Sequence, residues 1–134
     1  MIRFLFAFLA ALLLSACASM IFIPEDLSPA EIIQRAQEAL DRNRYNVAIQ
    51  YYQALHERNR RNIDLVITAE YHIAHIHFKQ GRYEQARIEL NALLEYYNNP
   101  DSELLPQHFR RLAFIVLERI DERENQRRPF SRRR

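Results

Sequence analysis

The sequence has few of the residues that form turns and cross-links. Its 134 residues include one glycine, Gly81, one cysteine, Cys17, and no tryptophan. Because β-rich folds need frequent turn residues, this shortage favours long helices with short connections. A single cysteine excludes a disulfide within one chain, and a single glycine excludes a glycine-rich phosphate-binding loop. The formal net charge of +2 is too small to indicate a nucleic-acid partner.

The first residues have the pattern of a secretory signal. Arg3 precedes an unbroken apolar run over residues 4–14, and Cys17 follows two small residues. The run is shorter than the ~20 residues that a membrane-spanning helix needs, and its length is typical of a signal peptide, which we predict over residues 1–16. The sequence LSAC resembles the lipobox of bacterial lipoproteins. This resemblance implies a diacylglycerol on Cys17 and cleavage before it, and the alternative is an ordinary signal peptide with an incidental cysteine.

The residue after Cys17 bears on the membrane to which the protein is sorted. In enterobacterial lipoproteins an aspartate there favours the inner membrane, and this chain has Ala18. The resemblance therefore implies a lipid anchor in the outer membrane, facing the periplasm. We predict that residues 17–27 are the lipidated cysteine and a tether, and that the arginine-rich residues 127–134 are a disordered tail.

Apolar residues recur at helical spacing along the rest of the chain and predict an all-α protein. The first helix begins at Ser28, with Pro29 and Glu31 in the pattern of a helix start. Further helices are predicted over about 45–58, 63–80, 83–97, and from about 102 or 106 to 124. Gly81 is expected to end the third helix.

Two segments of the chain repeat each other. RYNVAIQYYQAL (residues 44–55) and RYEQARIELNAL (residues 82–93) share arginine, tyrosine, alanine and a final Ala-Leu at a shift of 38 residues. A period in this range indicates stacked helical hairpins, and the pattern resembles the tetratricopeptide repeat family. The resemblance implies two helical hairpins and a C-terminal capping helix over residues 28–126, a short α-solenoid. The repeat-defining residues are Ala36, Tyr45, Ala48, Ala74, Gly81, Tyr83 and Ala86.

The same resemblance implies a binding groove on the first helix of each hairpin. Such grooves accept a peptide or helix from a partner protein. The alternative is that Ile33, Leu40 and Phe78 are core or are covered by the fifth helix. The groove positions that carry over to this chain are Ile33, Gln37, Leu40, Asp41, Tyr71, His75, Phe78 and Lys79.

The histidine cluster HIAHIH is the only sequence feature that suggests metal chemistry. His72 and His75 are three residues apart and share a helix face, whereas His77 lies on another side. Two histidines without a cysteine or carboxylate at ligand spacing are a weak metal signal. We therefore predict that His77 is core and that His72 and His75 are surface polar residues. No metal site, catalytic group or cofactor is expected apart from the lipid on Cys17, and the protein is not expected to be an enzyme.

Together these features predict a membrane-anchored scaffold or adaptor lipoprotein in cell-envelope protein assembly. The layout resembles the tetratricopeptide repeat lipoproteins of the outer-membrane β-barrel assembly machinery, which implies an envelope protein or peptide as partner. Self-association is also possible, because about three repeats are usually needed for stability and this chain has two. One alternative is a pilotin-like chaperone for a secretion or pilus component. Another is a small-ligand or metal-binding lipoprotein.

Overall fold

The computed structural model of the protein describes residues 20–127. Within this range the chain forms five α-helices and no β-strand, which confirms the predicted all-α fold. Two 3₁₀ turns, Tyr96–Asn98 and Pro100–Leu104, connect the last two helices. The helices are α1 (Pro29–Asp41), α2 (Tyr45–Arg58), α3 (Ile63–Lys79), α4 (Tyr83–Glu95) and α5 (Gln107–Arg127).

The start of α1 has the predicted capping box. The Ser28 hydroxyl accepts a hydrogen bond from the Glu31 N–H at 3.3 Å, and the Glu31 carboxylate accepts one from the Ser28 N–H at 2.9 Å. Pro29 occupies the first turn, where its missing N–H costs nothing. These contacts satisfy N–H groups that have no partner inside the helix.

The turns that close the two hairpins have the same backbone conformation. Gly81 has φ of 76°, and Asn43, 38 residues earlier, has φ of 55°. In each turn an N–H donates back to a carbonyl five residues earlier: Arg82 to His77 at 2.9 Å, and the equivalent bond of the first turn at 2.8 Å. Asparagine tolerates the left-handed region better than other non-glycine residues. The first repeat therefore makes the family's turn although it lacks the usual glycine.

Small residues allow the two helices of each hairpin to approach closely. Hairpin 1 (α1 and α2) meets at Ala36 and Ala48, and hairpin 2 (α3 and α4) meets at Ala74 and Ala86. All four alanines are completely buried. Complete burial is what a close approach of the two helices at these positions requires.

The interior consists of two buried clusters that both include residues of α3, and α5 covers the second of them. One buried cluster joins hairpin 1 to α3, and a second joins α3, α4 and α5. The fifth helix contributes four buried residues at spacings of three and four, the stripe expected of a helix with one covered face. This arrangement confirms the predicted C-terminal capping helix. The four are Phe109, Ala113, Val116 and Ile120.

Charged side chains also hold α5 against α4. The Arg87 guanidinium donates to Asp121 at 2.8 Å and to Glu124 at 2.7 Å. The guanidinium of Arg127 lies 4.8 Å from the centre of the Tyr83 ring, a cation–π contact. Tyr83 thus contributes both to the turn of hairpin 2 and to the docking of α5.

A segment before α1 lies against hairpin 1. We call residues 21–27 the strap. The Ile21 N–H donates to the Gln50 side-chain oxygen at 2.9 Å, and the Arg58 guanidinium donates to two successive strap carbonyls at 2.8 and 2.9 Å. The strap belongs to the segment that the sequence predicts as a tether, residues 17–27. In the structure it covers the open side of hairpin 1.

Some predictions concern residues outside the described range. The signal peptide over residues 1–16, the lipid site Cys17 and positions 128–134 of the predicted tail belong to this group, and they stay predictions. Arg127, where the tail was predicted to begin, is the last residue of α5. In the described part of the chain, no helix is both long enough and apolar enough to span a membrane.

Candidate functional site

The predicted groove residues of α1 divide between core and surface. Ile33 and Leu40 are half-buried and pack against the cluster of hairpin 1. The Gln37 amide donates a hydrogen bond to the Tyr52 hydroxyl, which fixes both side chains. Asp41 is exposed at the end of the helix. Asp41 is therefore the only exposed one of the four, and Ile33, Gln37 and Leu40 are each half-buried.

The predicted groove residues of α3 form a row of rings. The His75 imidazole lies between the rings of Tyr71 and Phe78, at centroid distances of 5.7 and 6.1 Å. Tyr71 is buried because Phe109 of α5 covers it at 5.1 Å. Lys79 ends the row and is exposed. The structure thus brings His75, Phe78 and Lys79 together on one surface and places Tyr71 beneath α5.

His72 joins this row, although it was predicted to be a surface residue. Its ring stacks on Tyr52 at a centroid distance of 4.7 Å and an interplanar angle of 8°, and Phe109 approaches it edge-on at 6.0 Å. Neither His72 nor His75 is exposed. Both are therefore half-buried rather than fully exposed as predicted, because Tyr52 of α2 and Phe109 of α5 pack against part of the α3 face that they share.

Burial makes the two imidazoles neutral near pH 7. It lowers the pKa of His72 to about 4, and the nearby His75 and His108 lower it further in the same direction. Burial also lowers the pKa of His75, with added repulsion from Lys79 and Arg119. The charged form of an imidazole loses solvation when it is buried, which explains the direction. This surface therefore offers aromatic faces and neutral hydrogen-bonding groups, and its positive charge comes from its edges.

The fifth helix adds a second wall to this surface. Leu112 and Arg119 lie seven residues apart on one stripe of α5, and the charge of Arg119 acts on both Tyr71 and His75. Leu112 is 37% exposed. We call the surface formed by Gln37, His72, His75, Lys79, Leu112 and Arg119 the concave face. The residues on α5 were missed because the sequence pattern indicated only a capping role for this helix.

A separate cleft lies between the second helices of the hairpins. Its volume is about 370 Å³, and Ile73 and Ala92 supply apolar lining. On one side the Glu70 carboxylate accepts hydrogen bonds from His56 and from the Tyr96 hydroxyl, each at 3.2 Å. These polar groups of the cleft are therefore paired with one another and are not left without a hydrogen-bond partner.

His77 occupies the core position that was predicted for it. Its side chain is almost completely buried, and its Nδ1 lies 2.7 Å from a carboxylate oxygen of Glu89. This pair lies between α3 and α4. Glu89 could not be identified as its partner from the sequence, because the two residues meet only when the hairpin closes.

The described residues contain no group of three or more histidine, cysteine, aspartate or glutamate side chains that could hold a metal ion. His72 and His75 point into an aromatic row, and the buried His77 pairs with Glu89. The arrangement on the concave face is suited to contacts with another polypeptide.

Comparison with known proteins agrees with the observed architecture. Residues 39–105 match the family model described as "Tetratricopeptide repeat". A curated protein of Treponema pallidum (strain Nichols), which carries the name "Uncharacterized protein", is 36% identical over 118 residues. The alignment covers 86% of this chain and 47% of the relative, so the chain spans about half the length of that relative. No solved structure matches the chain.

Proposed function

The chain belongs to the tetratricopeptide repeat family, and on that premise we propose that it is a membrane-anchored adaptor lipoprotein. In this proposal it holds a partner protein at the periplasmic face of the outer membrane during envelope protein assembly. Repeats of this family are protein-interaction modules and are generally not catalytic. Stacked helical hairpins present an extended inner surface that suits this work.

The chemistry of the concave face is the observation that carries the proposal. Its floor is a row of aromatic and neutral imidazole rings, and Leu112 supplies an exposed apolar contact. Lys79 and Arg119 place positive charge at its edges. Aromatic and apolar anchors with a charged rim are typical of protein interfaces. The partner that fits best is an extended or helical segment with apolar side chains and a nearby carboxylate.

The anchor is supported by the sequence LSAC and by the short chain between Cys17 and the first described residue. Met20, the first described residue, comes three positions after Cys17, and an extended chain over that span reaches at most about 10 Å. Two or three acyl chains give stable attachment where one does not. A lipid on Cys17 would therefore hold the strap and hairpin 1 close to the membrane surface.

Affinity capture from solubilised membranes tests the adaptor role. Leu112→Asp places a charge on the α5 wall of the concave face, and we expect it to weaken partner binding by roughly tenfold or more. Ile88→Asp is the matched control, since Ile88 is 61% exposed on α4 and belongs to neither the concave face nor α5. Partners that are lost with the first variant and kept with the second support the proposal. Capture that is equal in both variants, or absent from the wild type, contradicts it.

The identity of the captured proteins separates the proposed role from its alternatives. Several β-barrel assembly components support a role in envelope assembly, whereas one secretin or pilin subunit indicates a pilotin-like chaperone. Zn²⁺ binding at micromolar concentration, with no protein partner, would indicate a ligand-binding lipoprotein.

The intact mass of the mature protein tests the anchor separately. We expect an N-terminal Cys17 that carries diacylglycerol, and an unmodified cysteine would refute that part of the proposal alone.

A further inference from the structure

The outer side of α5 is an apolar helix surface left uncovered at an edge of the described residues. Phe114 is 53% exposed and Ile115 is 44% exposed, on the side opposite to the buried stripe. Arg111 lies one turn before these two residues and Glu118 one turn after them, and both are exposed. Viewed down the helix axis, the two charged residues fall between Phe114 and Ile115. Neither charged side chain has a hydrogen-bond or ion-pair partner among residues 20–127. We call these four residues the α5 edge.

The order of residues on the α5 edge is self-complementary. Arg111 and Glu118 each lie three and a half residues from the point midway between Phe114 and Ile115. A two-fold axis through that point, perpendicular to the helix, therefore places Arg111 of each copy beside Glu118 of the other. The seven-residue spacing keeps both charged residues on the same face of the helix.

The same axis also pairs the apolar residues. Phe114 and Ile115 lie on opposite flanks of the charged face, each half a residue from the axis. In an antiparallel helix pair each flank meets its own symmetry mate, so Phe114 contacts Phe114 and Ile115 contacts Ile115 of the other copy. One register thus satisfies two ion pairs and two apolar contacts. A two-fold interface of this kind uses the same patch on both subunits.

The competing arrangement is electrostatically unfavourable. A parallel pair in register would place Arg111 against Arg111 and Glu118 against Glu118, and like charges that face each other are destabilising. The charge pattern therefore selects the antiparallel orientation.

We propose that the α5 edge is a homodimer interface in which two copies pair their fifth helices antiparallel about the point between Phe114 and Ile115. The occupant of this surface is a second copy of the chain. The interface does not involve Cys17 or the concave face, so it goes beyond the adaptor role and does not depend on it. Because one helix pair buries less surface than a standard stable interface, the dimer is weak in solution and favoured where the chain is concentrated.

The size of the solenoid is consistent with this pairing. The described residues form two hairpins, and stacks of this kind usually need roughly three repeats. Pairing through α5 joins two short stacks into one of twice the length and covers the apolar residues at the junction. It leaves the concave face of each copy accessible, because Leu112 and Arg119 lie on a neighbouring stripe of the helix.

Disulfide trapping in intact cells tests the geometry with the full chain. We expect Phe114→Cys to give a covalent dimer after mild oxidation, because the two copies meet at this residue. Asn125→Cys is the matched control, since Asn125 is exposed on the same helix but far from the axis. The chain without an added cysteine shows how much dimer comes from Cys17. Equal trapping at positions 114 and 125, or none at 114, would overturn the proposal.

A charge-exchange experiment tests the register. Arg111→Glu alone and Glu118→Arg alone each create like-charge contacts, and we expect roughly tenfold less trapped dimer from either variant in the Phe114→Cys background. The Arg111→Glu, Glu118→Arg double variant restores both ion pairs and should recover the wild-type yield. Co-expression of the two single variants should give mainly the mixed dimer. Failure of the double variant to recover, or equal dimer from the single variants, rules out this pairing.

Discussion

At the N-terminal edge of the solenoid the strap covers hairpin 1, whereas at the C-terminal edge α5 presents exposed apolar side chains and unpaired charges. Arg58 holds the strap by donating to two backbone carbonyls. At the other edge Phe114 and Ile115 have no covering segment among the described residues. The strap thus covers part of the first edge from within the chain, and its Phe22 side chain is left 87% exposed. In the proposed dimer, the second edge is where another copy extends the stack.

The largest expected effect is the difference between the buried and the exposed face of α5 in their contribution to the free energy of unfolding. Ile120 is completely buried against α3 and α4, whereas Phe114 is about half exposed. Ile120→Ala removes buried apolar volume and should lower the free energy of unfolding by about 3 kcal/mol. Phe114→Ala should change it by less than about 0.5 kcal/mol. Chemical denaturation of both variants checks this, and similar losses would mean that α5 docks through a different face.

Acid should lower the stability of the fold through His72, the α3 residue that Phe109 of α5 approaches. The folded pKa of His72 is about 4, below its ordinary value of 6.5, so the folded state binds its proton less readily than the unfolded state. This stabilisation is complete above pH 6.5 and decreases as the pH falls towards 4. Between pH 7 and pH 5 we expect a loss of about 2 kcal/mol from this group. The groups around His72 are His75, His108, Tyr52 and Phe109.

The variant His72→Gln separates this effect from other titrations. It removes the ionisable ring, so the slope of unfolding free energy against pH should become shallower over the same range. The remaining slope belongs to His75 and the other titrating groups. An unchanged slope would show that His72 is not shielded by Tyr52 and Phe109 as the structure has it.

The smallest expected effect is at the N-terminal edge. Arg58→Ala removes both bonds to the strap and should lower stability by about 1 kcal/mol. Amide hydrogen exchange at Ile21, which donates to Gln50, should become faster. Arg60→Ala is the control, because Arg60 pairs only with the nearby Glu57 among the described residues. Slower or unchanged exchange in Arg58→Ala would mean that the remaining contacts, among them the hydrogen bond from Ile21 to Gln50, hold the strap without Arg58.

The repeated elements could be predicted because their signals are local. The alanines at the helix contacts, the tyrosines after the turns and the cap at Ser28 each act within one hairpin. Local signals also account for Asn43, which departs from the family pattern. It adopts the same left-handed conformation as Gly81. A turn needs only a residue that tolerates positive φ, and asparagine meets that requirement.

The remaining features depend on contacts between distant residues. The strap is fixed by backbone carbonyls, which have no sequence signature, and Arg58 lies more than 30 residues from them. His72 looked like a surface residue because its stacking partner Tyr52 belongs to another helix. The wall that Leu112 and Arg119 add to the concave face was missed for the same reason. The packing of α5 decides which of its stripes remains accessible.

Site-specific photocrosslinking in living cells tests the contrast between closed and open surfaces most directly. A photoreactive residue is placed in turn at Tyr51 beside the strap, at Leu112 on the concave face and at Phe114 on the α5 edge. We expect crosslinks within the same chain from position 51, to a different protein from position 112, and to a second copy from position 114. Crosslinks to foreign protein from position 51, with none from position 112, would contradict the account.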